Sequence, residues 1–137
     1  MRFSTRTRYG LRFLLRLAQQ PDGALVHLGQ IAREENISSG YLEQIVRALK
    51  PVDILFAVRG SGGGYRLARP ASQINLEEVF AQLEGEISPV SCLTGGKHCK
   101  RQDSCSSRLF WHELDEHVRK FLRERTLQDI LDAEKAS

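Results

Sequence analysis

The sequence predicts a mostly α-helical fold with a small β-hairpin wing, that is, a winged helix-turn-helix followed by a long C-terminal helix. Three observations predict this fold class. Apolar residues recur at three- and four-residue steps in three successive segments of residues 1–50. A stretch of alternating apolar and polar residues follows, interrupted by a run of glycines. A long amphipathic segment then begins near residue 107.

The N-terminal segments predict three helices. The first is expected from a cap at Ser4 or Thr5 to about Gln20, where a Pro-Asp-Gly turn ends it. The other two are expected over about residues 28–35 and from a cap at Ser38 or Ser39 to about residue 49. Because only a few residues separate these two helices, with Asn36 suited to a left-handed helix end, the pair has the layout of a helix-turn-helix.

The alternating stretch predicts the hairpin. Ile54, Phe56 and Val58 fall on one face of its first strand, and Tyr65 and Leu67 alternate in the second strand.

Capping residues and periodicity predict the remaining elements. Asn75 and Glu78 form a predicted capping pair for a helix ending near residue 85, after which no helical or strand period is found over residues 86–104. A long helix is expected over about residues 107–124, and Thr126 is expected to cap a last helix to about residue 133.

Length and composition bound the class of protein. The chain has 137 residues, which suits one domain or a domain with a helical arm. Its three cysteines, an odd number, exclude a complete set of intramolecular disulfides. No stretch reaches the roughly 18 apolar residues of a membrane span, and the first residues lack the apolar core of a signal peptide. We therefore expect a cytoplasmic protein with reduced thiols and no membrane partner.

The net charge of +3 is the sum of two unlike halves. Residues 1–69 contain 11 basic and 5 acidic side chains, a net +6, and residues 70–137 contain 9 and 12, a net −3. A basic half indicates a polyanionic partner, although a solvated arginine-rich helix face is the plainer alternative. If the first helix faces DNA, its candidates for phosphate contacts are Arg6, Arg8 and Arg12.

The third helix has a polar face with the side chains that DNA readers use. In a helix-turn-helix the second helix lies in the major groove with its N-terminal residues against base edges. Gln44 can pair with adenine, Glu43 can accept from cytosine, and Tyr41 can contact phosphate or a thymine methyl. The alternative is an ordinary solvated face. The candidate DNA-binding residues of this helix are Ser38, Ser39, Gly40, Tyr41, Glu43, Gln44 and Arg47.

The hairpin tip is a second candidate DNA contact. An arginine beside glycines can enter the narrow, electronegative minor groove, because glycine permits close backbone approach. A merely flexible loop is one alternative. A nucleotide-binding loop is another, but the tip lacks both the dinucleotide fingerprint and the Gly-Lys-Ser/Thr of a P-loop. The candidate residues are Arg59, Gly60, Ser61 and Gly62.

The three cysteines form a third candidate site. Cys92, Cys99 and Cys105 have the spacing C-x6-C-x5-C within a segment that shows no period. Soft thiolates suit an iron–sulfur cluster or another soft metal, and nearby cations lower thiol pKa values. The paired C-x2-C knuckles of structural zinc sites are missing. A thiol redox switch and cysteines without function remain as alternatives. The neighbouring cations are Lys97, Lys100 and Arg101.

The long helix carries a broad apolar stripe. In so small a chain, such a stripe favours packing against a second subunit, and twofold symmetry is common among DNA readers. Docking on the chain's own winged domain is the alternative. The stripe consists of Phe110, Trp111, Leu114, Val118, Phe121 and Leu122.

These motifs together resemble a known family, the bacterial winged-helix transcriptional regulators of the IscR/NsrR (Rrf) type. The resemblance spans about residues 1–133 and implies a homodimer that binds a double-stranded DNA operator through the helix near Tyr41 and the wing near Arg59. It also implies a [2Fe-2S] or [4Fe-4S] cluster held by the three cysteines. The matching stretches are residues 38–44 (SSGYLEQ), residues 58–65 (VRGSGGGY), the cysteine segment and residues 127–131 (LQDIL).

Two departures from the family pattern leave the fourth cluster ligand open. The histidine of IscR-like members is replaced by Arg108, and the acid that NsrR-like members have in the first helix is replaced by Arg8. The remaining candidates are His112, His98, Asp103, an acid from the partner subunit, a small thiol or water. Pro51 is a further departure and is expected to end the recognition helix early.

The sequence therefore predicts a DNA-binding region over residues 1–85, a cluster-binding segment over 86–106, and a dimerisation helix with a C-terminal helix over 107–137. The expected function is a regulator, most simply a repressor, that responds to iron–sulfur status, nitric oxide or redox state. The alternative is a cluster-free regulator of the same fold that senses thiol oxidation or a small ligand. An enzyme is not expected, because no catalytic triad, paired carboxylates or HExxH motif is found.

Overall fold

The computed structural model describes residues 2–93, 100 and 103–137. The described residues form six α-helices and one two-stranded antiparallel hairpin. In chain order the elements are α1 (Thr5–Ala18), α2 (Leu28–Glu35), α3 (Ser39–Leu49), β1 (Leu55–Val58), β2 (Gly64–Leu67), α4 (Leu76–Leu83), α5 (Arg108–Arg123) and α6 (Leu127–Ala136). Short 3₁₀ turns lie at Ala71–Gln73 and Ser91–Leu93.

The boundaries of the first three helices confirm the capping analysis. The Ser4 hydroxyl accepts a hydrogen bond from the Thr7 N–H at 3.2 Å and begins α1. Asn36 ends α2 at φ 55°, and the Ser38 hydroxyl begins α3 by accepting from the Tyr41 N–H at 3.1 Å. Only the end of α1 differs, because this helix stops at Ala18, two residues before the expected Gln20.

The later helices differ in two details. Asn75 caps α4 by accepting from the Glu77 N–H, but Glu78 does not complete a capping pair because its carboxylate binds Arg69 at 2.5 Å. Thr126 and Asp129 form a reciprocal capping box for α6, which continues to Ala136 instead of ending near residue 133.

The hairpin is anchored to the core by one face. Leu55 pairs with Leu67 and Val58 with Gly64 in the antiparallel register. The backbone of Tyr65 exchanges two 2.9 Å hydrogen bonds with Val26, the residue just before α2. The expected face of Ile54, Phe56 and Val58 is buried only at Ile54, while Phe56 and Val58 are 43% and 41% exposed.

A single core joins the N-terminal helices to the C-terminal helix. Helix α6 packs on α1, and Leu127 is fully buried. The turn before α6 is tied to the turn before α4, because the Leu76 N–H donates to the Arg125 carbonyl at 2.9 Å and the Leu127 N–H donates to the Ile74 carbonyl at 3.1 Å. Among the described residues, no helix is long and apolar enough to cross a membrane. The fully buried side chains include Phe13, Leu14, Ile31, Leu42, Ile45, Leu49, Ile54, Ile74, Leu83 and Leu127.

Candidate nucleic-acid interface and cysteine segment

Helix α3 presents its predicted polar face to solvent. Its inward residues Leu42, Ile45, Val46 and Leu49 are all buried, as the periodicity predicted. Tyr41 is half-buried, and its ring meets the ring of Tyr9 edge-on, with centroids 6.0 Å apart. The remaining candidates on this helix are exposed, namely Ser38, Ser39, Gly40, Glu43, Gln44 and Arg47.

The tip of the hairpin is built from backbone that favours glycine. Gly60 and Gly62 have φ values of 91° and 78°, in the region that residues with a β-carbon rarely adopt. The Gly63 N–H donates to the Gly60 carbonyl at 3.0 Å and closes the turn. This closed turn leaves Arg59 and Ser61 exposed at the end of the wing.

An open groove of about 610 Å³ separates α3 from the hairpin. Arg47 and Lys50 line it from α3, and Arg59 lines it from the wing. His27 and the first residues of α2 form its floor, and Glu43 is the one acidic residue of its described lining. The structure thus brings the two predicted DNA-contacting elements to the two sides of one mainly basic groove.

The arginines of α1 divide into engaged and exposed side chains. Arg12 pairs with Glu35 at 2.8 Å, and the Arg6 Nε donates to the Leu83 carbonyl at 3.0 Å. Arg8 is exposed, and no described residue forms an ion pair or hydrogen bond with its side chain. Of the three predicted phosphate contacts, Arg8 is therefore the one whose guanidinium has no intramolecular partner within the described part of the chain.

A second ion pair joins α1 to α2. The Arg16 guanidinium donates a hydrogen bond to Glu34 and thereby holds the pKa of that carboxyl below its usual value. The same bond raises the pKa of Arg16. Together with the Arg12–Glu35 pair, it fastens α1 across the end of the helix-turn-helix.

The described part of the cysteine segment includes two of the three predicted ligands. Cys92 is exposed in the 3₁₀ turn Ser91–Leu93, and Cys105 is half-buried just before α5, with its Sγ 3.3 Å from the Ser107 hydroxyl. Cys99 and His98 lie outside the described residues, as do Lys97 and Arg101. Asp103, His112 and Lys100 are exposed. Within the described residues, no group of three metal-ligating side chains is formed.

The chain leading into the cysteine segment is attached to α5. Arg119 donates to the Ile87 carbonyl at 3.1 Å and also pairs with Asp115 at 3.0 Å. Asp115 is 8% exposed, and its Oδ1 has no hydrogen-bond partner among the residues that the structure describes. This buried carboxylate thus fixes the arginine that holds the start of the segment.

Helix α5 has two adjacent apolar stripes. One consists of Val118 and Leu122, which pack against the chain's own core, and of Trp111, which is half-buried. The other is exposed and continues into an apolar groove of about 410 Å³ lined by Phe3, Phe80 and His117, together with residues of α5. The alternative expectation, docking on the chain's own domain, is thus met by one stripe, whereas packing of the other stripe against a second subunit stays a prediction. The exposed stripe consists of Leu109, Phe110, Leu114 and Phe121.

Sequence reasoning missed one hydrogen-bonded cluster that joins α4 to α1. The Glu84 carboxylate accepts from the Ser4 N–H at 3.0 Å, from the Ser4 hydroxyl at 2.8 Å and from the Thr7 hydroxyl. Burial raises the pKa of Glu84, but these hydrogen bonds outweigh burial and hold the pKa below its usual value. An acidic residue at the end of a helix gives no sequence signal for this contact, because its partners Ser4 and Thr7 are distant along the chain.

Comparisons with known proteins give one consistent result. The Rrf2 family model, described as an iron-dependent transcriptional regulator, matches residues 3–133. The HTH-type transcriptional regulator IscR of Cereibacter sphaeroides is 37% identical to this chain over 139 residues, which cover 98% of this chain and 89% of that protein.

Solved structures show the same arrangement of helices and hairpin. CymR, the global cysteine regulator of B. subtilis, matches with a TM-score of 0.78 and 32% identity, covering 97% of this chain and 98% of that one. IscR of T. potens matches with a TM-score of 0.77 and 29% identity, covering 100% and 91%. The predicted winged helix-turn-helix fold is confirmed.

Proposed function

This chain belongs to the Rrf2 family of transcriptional regulators, and on that basis we propose that it is a homodimer whose α3 and wing read operator DNA under the control of an iron–sulfur cluster. A regulatory DNA-binding role is common to its relatives, which are regulators and not enzymes, as the sequence analysis expected. We place the protein in the cytoplasm, because an operator-binding regulator must reach the chromosome. The predicted division at residues 85 and 106 remains part of this proposal.

The basic groove between α3 and the wing is the observation that carries the DNA-binding mode. Arg47, Lys50 and Arg59 line a space open to solvent on one side, and this charge attracts the phosphate backbone. With α3 in the major groove, the wing lies one backbone strand away, where Arg59 can enter the minor groove.

The exposed residues of α3 then take separate roles. Ser39 and Gly40 permit close approach at the start of the helix, and Ser38 is already engaged as the cap. Gln44 and Glu43 are the candidates for base edges, adenine and cytosine respectively. In the wing, Gly60, Ser61 and Gly62 allow the backbone to approach the sugar–phosphate chain beside Arg59.

The cysteine donor set fits an iron–sulfur cluster chemically. Cys92 and Cys105 lie in non-helical chain on either side of Cys99, and thiolates are the ligands that such clusters take. We assign Cys92, Cys99 and Cys105 as ligands and leave the fourth open, with His112 as a weak candidate because it is exposed on α5. When bound, the cluster supplies a centre sensitive to iron supply, nitric oxide or redox state.

The alternative is a cluster-free regulator that senses thiol oxidation or a small ligand. Cys92 is exposed to solvent, as a redox-sensing thiol must be. The likeness to a cysteine regulator, CymR, also favours this reading.

The exposed stripe of α5 is the proposed dimer interface. Leu109 is 82% exposed and Phe110 is 58% exposed, which is unusual for large apolar side chains unless another molecule covers them. Glu113 and Glu116 lie on either side of the midpoint of α5, and Lys120 and Arg123 lie in its last two turns. An antiparallel pair of α5 helices about a twofold axis places these unlike charges opposite each other.

One experiment tests the sensing assignment. The protein is purified without oxygen, its absorbance and its iron and sulfide content are measured, and operators are selected from random duplex DNA with and without the cluster. Cys92→Ser and Cys105→Ser are expected to abolish the cluster absorbance, whereas Ser106→Ala in the same segment is not. A wild-type protein without iron whose DNA binding responds to peroxide would establish the alternative.

A further inference from the structure

Glu84 connects the end of α4 to the beginning of α1. Its carboxylate receives three hydrogen bonds from two residues of α1's first turn and cap, Ser4 and Thr7, and Thr7 is 2% exposed. The carboxylate lies at the N-terminal end of α1, where the helix dipole stabilises a negative charge. Gly85 follows directly with φ 83° and ends α4, so Glu84 is also the last residue before the chain turns toward the cysteines.

The same helix touches the start of the recognition helix. The Tyr9 ring meets the Tyr41 ring edge-on at 6.0 Å, and Tyr41 belongs to the first turn of α3. The Arg12 guanidinium lies over the Tyr9 ring, 5.1 Å from its centroid, and pairs with Glu35 of α2. Tyr9 thus contacts both an arginine of its own helix and the first turn of α3.

Helix α1 is too tightly packed for these two contacts to move independently. A β-carbon at Gly10 would lie 2.6 Å from the Cδ1 atom of Leu83, so the backbone of α1 at Gly10 packs directly on the Leu83 side chain of α4. Ser4 and Tyr9 are five residues apart, or about 7.5 Å along a helix. A shift of the Ser4 end is therefore transmitted along α1 to Tyr9.

We infer that Glu84 is a positioning residue for DNA recognition: by holding the first turn of α1, its carboxylate sets Tyr9 against Tyr41 and so links the segment that carries the cysteines to the start of α3. The inference rests on the proposed DNA-reading role of α3. It does not depend on which signal the cysteines detect.

The test compares operator affinity with affinity for non-specific DNA of the same length, using an operator selected with the wild-type protein. Glu84→Gln removes the charge but keeps the size of the side chain, and Tyr9→Leu removes the ring contact. Tyr9→Phe retains the ring, and Glu134→Gln makes the same charge change at an exposed position near the end of α6. These last two variants are the matched controls.

Both Glu84→Gln and Tyr9→Leu are expected to weaken operator binding on the order of tenfold. Non-specific affinity should change by less than about twofold, because the phosphate-facing charges are unaltered. The double variant should bind the operator about as tightly as the weaker-binding single variant, because both changes break the same series of contacts from Glu84 through α1 to Tyr41. The two controls should match the wild type.

Hydrogen exchange separates positioning from a purely structural role. In Glu84→Gln, amides in the first turn of α3 should exchange faster while those of α6 stay protected. Equal loss of operator and non-specific binding, or unchanged exchange in α3, would overturn the inference.

The proposed function fails in a different way. It fails if the wild-type protein selects no operator, whereas the inference fails if the wild type selects an operator that Glu84→Gln binds equally well. Comparing cluster-loaded and cluster-free protein adds a second readout, because the ratio of their operator affinities should fall toward one in Glu84→Gln.

Discussion

Gly10 of α1 lies directly against Leu83 of α4, so close that a β-carbon at position 10 would stand 2.6 Å from Cδ1 of Leu83 and 3.0 Å from its Cδ2. Leu83 is fully buried and has little room to move away. The crossing of these two helices therefore requires a residue without a side chain, although glycine is a poor helix former.

The Gly10–Leu83 contact predicts how one methyl group added at position 10 changes the stability of the protein. Gly10→Ala gains about 1 kcal/mol of helix propensity but costs about 1–3 kcal/mol by overpacking. We expect a net loss of roughly 1 kcal/mol in the free energy of unfolding, measured by urea denaturation. Gly40→Ala is the control, because nothing lies within 4 Å of its added β-carbon. A Gly10→Ala protein more stable than the wild type would contradict the contact.

Glu84 predicts an acid-dependent stability. The pKa of Glu84 is lowered in the folded protein. Its contribution to the free energy of unfolding is therefore fully present above the unfolded-state pKa of 4.5 and is lost as the pH falls through the lower pKa of the folded state. At pH 7 we expect Glu84→Gln to be about 1–2 kcal/mol less stable than the wild type. The difference should shrink as the pH falls below 4.5 and vanish once the carboxyl is protonated in the folded protein, because the protonated carboxyl resembles the amide. Urea unfolding over a series of pH values measures it, and a difference that is independent of pH would refute the assignment.

The two exposed arginines at the DNA-binding surface should have different effects. Arg59→Ala is expected to reduce the selectivity for the operator over other DNA. The binding free energy should fall by about 1–3 kcal/mol on the operator and change little on non-specific DNA. Arg8→Ala should weaken binding to all sequences similarly and reduce the slope of log affinity against log salt by about one. Fluorescence anisotropy titrations at several salt concentrations distinguish the two. Equal losses on all sequences for Arg59→Ala would contradict the wing assignment.

The exposed stripe of α5 predicts a change of oligomeric state without unfolding. Phe110→Ser should weaken the proposed dimer by at least about tenfold, because Phe110 is 58% exposed in the single chain and lies in the proposed interface, and it should leave the monomer's melting temperature nearly unchanged. Glu134→Gln, at an exposed position on α6 outside the proposed interface, is the control. Sedimentation equilibrium measures the mass, and an unaltered dimer in Phe110→Ser would place the interface elsewhere.

The Asp115–Arg119 pair predicts a loss of stability that a second substitution restores. Arg119→Gln leaves the buried Asp115 carboxylate without its cation, and we expect a loss of about 1–2 kcal/mol, moderated by the partial exposure of Arg119. Adding Asp115→Leu should restore most of it, because the unpaired buried charge is then gone. Thermal unfolding of both variants checks this prediction. A double variant that is less stable than Arg119→Gln alone would show that Asp115 has another stabilising contact.

Local physics made the helices, caps and hairpin predictable. The cap at Ser38, the left-handed Asn36 and the period of the α3 core residues depend on neighbours within four positions, and all are observed. The Asn75–Glu78 pair failed because Arg69, brought close by the fold, binds the Glu78 carboxylate more strongly than an exposed N–H does.

The candidate DNA site was predicted residue by residue, but its shape was not. The sequence identified the faces of α3 and the wing tip separately. That Arg47 and Arg59 line opposite sides of one groove follows from how the hairpin is fastened through Tyr65 to Val26, a contact between distant parts of the chain. The same holds for the pairing of Arg12 with Glu35, which joins residues of two different helices.

The sequence by itself determined the order of the helices and strands, which face of α3 is polar, and that three thiols lie in one segment without periodic structure, because all of these depend on local steric and capping preferences. Only the tertiary structure decided which arginines of α1 pair with other helices, which stripe of α5 is left uncovered, and that Glu84 binds the first turn of α1. These outcomes depend on pairs of residues that are distant in the chain, and the energies of such pairs are set by packing and burial, which local patterns do not encode.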